Sequence, residues 1–175
     1  MGKKYVAYVG TYTHGTSKGI QVYDVNLEEG TLIERSEVEV SNASYTAISK
    51  NGKYLYSIED EGVAVFKRDH NGDLERINSV DIDGMRGCFL ATDVDGKYLY
   101  VAGYHDGKVT VVHTHKDGRL GSVMDGVFHT GLGSVAERNF RPHVNCVRPT
   151  PDNKYLCAVD NGIDQIKVYR INCLL

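Results

Sequence analysis

Apolar and polar residues change places at every second position along most of this chain, in short runs separated by Gly, Asn and Asp. A period of two bounded by turn residues predicts β-strands joined by tight hairpins. One run recurs nearly verbatim: Asn51-Gly52-Lys53-Tyr54-Leu55-Tyr56, Asp95-Gly96-Lys97-Tyr98-Leu99-Tyr100 and Asp152-Asn153-Lys154-Tyr155-Leu156-Cys157. The lysines of these copies are 44 and then 57 residues apart. A degenerate first copy begins at Lys4-Tyr5-Val6-Ala7-Tyr8.

Each copy is followed by a second alternating run: Gly19–Tyr23, Gly62–Phe66, Lys108–Val112 and Gln165–Tyr169. Polar turns at Glu29-Gly30, Asn71-Gly72 and Asp117-Gly118 lead into third runs at Leu32–Arg35, Leu74–Ile77 and Leu120–Val123. A strand of smaller residues precedes each later copy, at Tyr45–Ser49, Cys88–Thr92 and Val144–Arg148. No segment holds a helical period over ten residues. Four strands in about 44 residues is the blade of a β-propeller, and the regular period argues against a β-sandwich. The expected fold is therefore all-β, with about 3.5 four-stranded blades. Blade 1 is expected at about 4–40, blade 2 at about 44–82, blade 3 at about 87–130 and blade 4 at about 143–171. The first would carry three strands and the last three, so the chain reads as about half of a larger ring. Open blade edges expose unpaired backbone groups, which predicts either self-association or a marginal fold.

In a propeller the connections between blades and those between the second and third strands share one face. That rule gathers Thr11–His14, Asn42–Tyr45, Glu59–Glu61, Gly84–Gly87, Tyr104–Asp106, Glu137–His143 and Asp160–Asp164 on one rim. The opposite face receives the plain Asn-Gly and Asp-Gly turns. The extra length between the second and third copies of the repeat holds Glu137-Arg138-Asn139-Phe140-Arg141-Pro142-His143, which puts three cationic or titratable groups and one carboxylate within seven residues. Loops on a rigid scaffold are where binding and chemistry concentrate.

Composition narrows the function. A net charge of −3 supplies no general basic field for nucleic acid. No apolar run is long enough to span a membrane as a helix. The N-terminus runs straight into a strand pattern without the apolar core of a secretory signal, so the cytoplasm is the expected compartment. The four cysteines lack CxxC spacing and are expected to be reduced, with no zinc. His113-Thr114-His115 puts two imidazoles on one strand face without a third ligand nearby. Asp81–Gly84 and Asp93–Gly96 lack the later ligands of a calcium loop and read as turns. No metal and no cofactor is called for.

Several of these segments together resemble a known family. Gly10-Thr11-Tyr12-Thr13, Asn42-Ala43-Ser44-Tyr45, Arg141-Pro142-His143 and Thr150–Leu156 followed by Asp160-Asn161-Gly162-Ile163-Asp164 are similar to the lactonase family of seven-bladed propellers, over its N-terminal half. The resemblance implies hydrolysis of a sugar lactone, 6-phosphogluconolactone above all, in the pentose phosphate pathway. The relatives commonly carry His-x-His after the proline; here Asn145 replaces the second, so only His143 carries over. Lactone opening needs a base near neutral pH and a donor for the oxyanion. His143 is the expected base, with Arg141 and Glu137 beside it. Arg138, Arg86, Asn42, Tyr45 and Asp160 are expected to bind substrate, the arginines as permanent cations with a fork of donors. The plainer alternatives are that His143 merely bonds a backbone carbonyl at the start of its strand, and that Asp160 and Asp164 cap turns. A non-catalytic binding module and a muconate-type cycloisomerase are the competing functions.

Overall fold

The computed structural model of the protein describes residues 4–135 and 140–172. Fourteen strands form four antiparallel sheets. Strands β1 (Tyr5–Gly10), β2 (Gly19–Asn26) and β3 (Thr31–Glu39) make the first. The second contains β4 (Thr46–Ile48), β5 (Tyr54–Glu59), β6 (Gly62–Arg68) and β7 (Leu74–Asp81), in that order. The third runs β8 (Phe89–Thr92), β9 (Tyr98–Ala102), β10 (Lys108–Thr114), β11 (Leu120–Phe128), and the fourth β12 (Val144–Pro149), β13 (Tyr155–Asp160), β14 (Gln165–Arg170). The described residues are thus all-β and laid out as partial propeller blades, as the repeat predicts.

The repeated Asn-Gly-Lys-Tyr-Leu-Tyr pattern has a local cause. Gly52, Gly96 and Asn153 take positive φ values of 71°, 70° and 57°, a conformation Gly and Asn adopt at least cost. A side-chain oxygen at the turn's start then accepts the N–H of the following tyrosine: Ser49 Oγ from Tyr54, Asp93 Oδ1 from Tyr98 and Thr150 Oγ1 from Tyr155, at 3.0, 3.0 and 3.1 Å. The second half of each hairpin repeats as well. A bulge falls at Val22/Tyr23, Val65/Phe66 and Val111/Val112, the same place in three successive sheets, where it adds local twist.

Strand periodicity becomes packing between sheets. In β6, Val63 and Val65 face the third sheet while Ala64 and Phe66 face the first. In β9, Leu99 and Val101 face the second sheet while Tyr100 and Ala102 face the fourth. Strands buried on both faces lose the polar alternation, which is why these runs read as continuously apolar. Three cores therefore lie between four sheets. Polar ties cross the same gaps: Tyr8 Oη donates to Gly72 O at 2.6 Å, and Asn78 exchanges two bonds with the main chain of Leu120, at 2.8 and 3.0 Å. The outer faces of the end sheets stay uncovered. Ile166 and Val168, on one face of β14 with Tyr155 opposite Arg170 beside them, are 65% and 60% exposed.

Candidate active site

The loops assigned to one rim touch one another in sequence around it. Asn42, at φ 48°, accepts the N–H of Thr13 at 3.0 Å and donates to Asp60 Oδ1 at 2.8 Å. Arg86 pairs with the same Asp60 oxygen at 3.0 Å and lies over the Tyr12 ring. The Asn42 amide first, and Arg86 with it, hold the Asp60 carboxyl below its ordinary range. Asp106 accepts the Met85 N–H at 2.9 Å. Lys108, buried, donates to Ile82 O and Asp83 O, each at 2.8 Å. Each loop is thereby fixed by the next, and none depends on its own sequence alone.

At the far end of this series stands His143. It is 6% exposed and precedes β12. Its ring stacks on Tyr104, with centroids 4.4 Å apart, and meets Phe140 edge-on. Its Nδ1 lies 2.7 Å from Tyr104 O. A carbonyl only accepts, so the proton sits on Nδ1 and the lone pair on Nε2. Nε2 has no hydrogen-bond partner among the described residues. The carbonyl contact that would make His143 merely structural is therefore present, and it leaves the imidazole in the tautomer a general base needs.

Behind His143 runs a buried polar chain. Its N–H donates to Asp160 Oδ1 at 2.7 Å, and Gly162 N donates to the same oxygen at 2.9 Å. The other oxygen, Asp160 Oδ2, is 2.7 Å from His129 Nδ1. His129 Nε2 is 2.9 Å from Tyr169 Oη. The side chains of His129 and Asp160 are 0% exposed. Gly162 is glycine because a Cβ there would run into Arg141 O and the His143 N–H.

The expected site residues divide accordingly. His143 and Arg141 share a neighbour: the Arg141 guanidinium lies over the Phe140 ring, 5.6 Å from its centroid, and the same ring meets His143 edge-on. Arg141 is exposed and has no ion-pair partner among the described residues. Arg86 and Asn42 form a separate cluster around Asp60. Tyr45 packs on Phe89, with ring centroids 4.5 Å apart. Asp160, expected to touch substrate, lies beneath the rim with both oxygens spent on the protein. It holds the base's main chain in place, because a carboxylate this buried is kept only where donors satisfy it. Glu137 and Arg138 lie outside the described residues. Cys88, near the same rim, has its thiol pushed up to about 11, chiefly by burial, so it supplies no thiolate at neutral pH. His129, Tyr169 and Tyr104 were absent from the expected set.

Burial holds His129 below its ordinary pKa, with Lys167 adding to the effect and the bond to Asp160 opposing it. The sign for stability follows from linkage. Folded His129 stays neutral while the unfolded chain's takes up a proton near pH ~6.5, so the unfolded state binds more protons below that pH. The contribution is complete above the ordinary value, is lost as pH falls from there to the folded value, and is constant below. The slope in that window reaches about 1.4 kcal/mol per pH unit for one group. Urea unfolding at about pH 7.5 and about pH 5.5 is expected to show this loss in the wild type and less of it in His129→Asn, which keeps a donor but does not titrate. An equal loss in both would assign it elsewhere.

Residues 6–173 match the sequence profile of the lactonase seven-bladed β-propellers. The chain belongs to that family. Among lactonase relatives it is 38% identical over 174 residues to a 6-phosphogluconolactonase of Bacillus subtilis, an alignment covering 96% of this chain and 50% of that protein. A solved propeller from Bacteroides fragilis superimposes with a TM-score of 0.89 at 39% identity, covering 97% of this chain and 49% of the other. The Pseudomonas aeruginosa periplasmic gluconolactonase gives a TM-score of 0.88 at 30% identity, with coverage of 95% and 50%. The chain spans about half the length of the lactonases it matches. No helix of the described residues is long and apolar enough to cross a membrane.

Proposed function

We propose that the protein acts in hydrolysis of a phosphorylated sugar lactone, 6-phosphogluconolactone to 6-phosphogluconate, in the cytoplasm. The observation that carries this reading is the fixed His143 tautomer: Nδ1–H held by Tyr104 O, with Nε2 left without a hydrogen-bond partner and Arg141 without an ion-pair partner among the described residues. A water on Nε2 loses its proton as its oxygen attacks the lactone carbonyl carbon. The carbonyl electrons move onto oxygen, where the Arg141 guanidinium offsets the charge. The tetrahedral species then reforms the C=O and breaks the bond to the ring oxygen, which takes the proton back from Nε2. The product is a carboxylic acid, which releases its proton to solvent to become the carboxylate, and a free hydroxyl; the imidazole returns to its starting state. Glu137 and Arg138, adjacent in sequence, complete the anion-binding and base-orienting set in this reading. The names of the relatives support the substrate class, and nothing in the reaction calls for a cofactor.

The test compares 6-phosphogluconolactone with unphosphorylated gluconolactone on the 175-residue chain. Opening of the phosphorylated lactone faster than in buffer is expected. Arg141→Ala is expected to lower kcat by roughly 100- to 1,000-fold for both lactones, the usual cost of one lost oxyanion donor, and to change KM by less than about threefold. A rate equal to buffer, in a chain shown to be folded, overturns the reading.

A further inference from the structure

The buried chain behind His143 runs through three segments remote in sequence. Tyr169 lies on β14, the edge strand of its sheet. His129 follows β11, and Asp160 ends β13. We propose that His129 and Tyr169 are positioning residues for His143: through Asp160 they fix its main chain and, with it, the ring tautomer that leaves Nε2 free. The proposal rests on the reading of His143 as the base.

With Asp160 ionised and His129 neutral, donor and acceptor counting fixes every proton in the chain. Asp160 accepts from both the His143 and Gly162 N–H groups through Oδ1, which suits an ionised carboxylate. Oδ2 must then accept, so His129 Nδ1 carries the proton. Neutral His129 consequently presents a lone pair on Nε2, and Tyr169 Oη must donate to it. Burial keeps His129 neutral and raises the Tyr169 phenol, foremost by burial and then through Asp160, so both protons stay where the counting puts them. Each group has one role, and each depends on the next. Two of the members are fully enclosed, so water does not compete for these bonds. The output is geometric. Asp160 Oδ1 grips the amide of His143 one bond from its Cα, while Tyr104 grips the ring, and between them the imidazole has one orientation.

The test reads imidazole nitrogens by NMR and needs no turnover. In the wild type, His143 and His129 are both expected to show a protonated, pyrrole-type Nδ1 and a pyridine-type Nε2, while exposed His70 shows the averaged signals of an imidazole exchanging with water. His129→Leu removes the donor to Asp160 and is expected to collapse the His143 signals to the averaged pattern. His129→Asn, whose amide nitrogen replaces Nδ1, is expected to restore the fixed tautomer. Asp160→Asn gives a second reading that preserves shape. Its Oδ1 accepts from His143 and Gly162 as before, but its amide now donates to His129, so His129 is expected to invert to the Nε2–H form. Unchanged His143 signals in His129→Leu overturn the proposal, as does an uninverted His129 in Asp160→Asn; the latter decides alone if His129→Leu does not fold. A chain with no lactone turnover but the expected signals would sink the functional reading and leave the relay standing. Turnover without the signals would do the reverse.

Discussion

Replacing His143 by alanine is expected to lower kcat for 6-phosphogluconolactone opening by roughly 100- to 10,000-fold, the usual contribution of a positioned general base. KM is expected to change little, because the imidazole acts on water and not on the phosphate. Three features support an effect of this size. His143 Nδ1 is occupied by a carbonyl, so the ring cannot spread its protonation over two tautomers. The ring is sandwiched against Tyr104 and Phe140, so little ordering is left for the transition state. The Cys88 thiol near the same rim is held protonated by burial, so it offers no substitute base. Exogenous imidazole is expected to return part of the lost rate, since truncation leaves room between Tyr104 and Phe140. A fall of less than about threefold in kcat would remove His143 from the chemistry, and with it the assignment of the base.

Much of this architecture is legible in the chain because it is local. The tyrosine of each repeat is bonded to a turn oxygen five residues earlier, so Ser49, Asp93 and Thr150 occupy one place in the repeat. The alternation of β6 and β9 between two cores is a direct reading of strand period. The rim follows from connectivity once the strands are ordered. Legibility ends where the partner is distant and the residue type is ordinary. His129 and Asp160 are 31 positions apart, and Tyr169 and His129 are 40 apart. Nothing near His129 marks it, apart from its place at the mouth of the long insertion after β11. Tyr169 looks like any other aromatic position of a strand; only its register, on the same face of the sheet as buried Leu156, points it inward. Asp160 was legible as important but not as buried. An Asp-Asn-Gly turn at the end of a strand usually keeps its carboxylate in solvent, and here His129 pairs with it in the interior. Arg86 illustrates the same limit. Its charge suggests an anion site, while its partner Asp60 is 26 residues away and already satisfies it.

Asp160→Ala is expected to cost about 3–5 kcal/mol of stability, the penalty for breaking a buried, hydrogen-bonded charge network on one side. The carboxylate alone accepts from His143 N, Gly162 N and His129 Nδ1, so truncation leaves three donors facing a void. Each unsatisfied donor costs about 1–3 kcal/mol, less whatever water entering the cavity recovers. Against the 5–15 kcal/mol typical of a whole domain, such a loss is large. Asp160→Asn separates charge from shape. Its carbonyl oxygen keeps both main-chain donors, and its amide can serve His129 after the imidazole changes tautomer, so the expected cost is only about 1–2 kcal/mol. Urea unfolding of the two variants measures the difference directly. If alanine and asparagine cost the same, the network's value lies in the negative charge and not in the count of satisfied donors. The ordering Ala well above Asn would instead make Asp160 the point at which the fourth sheet, the insertion and the base's main chain are fastened together. A single carboxylate would then tie the stability of this end of the molecule to the geometry of its chemistry.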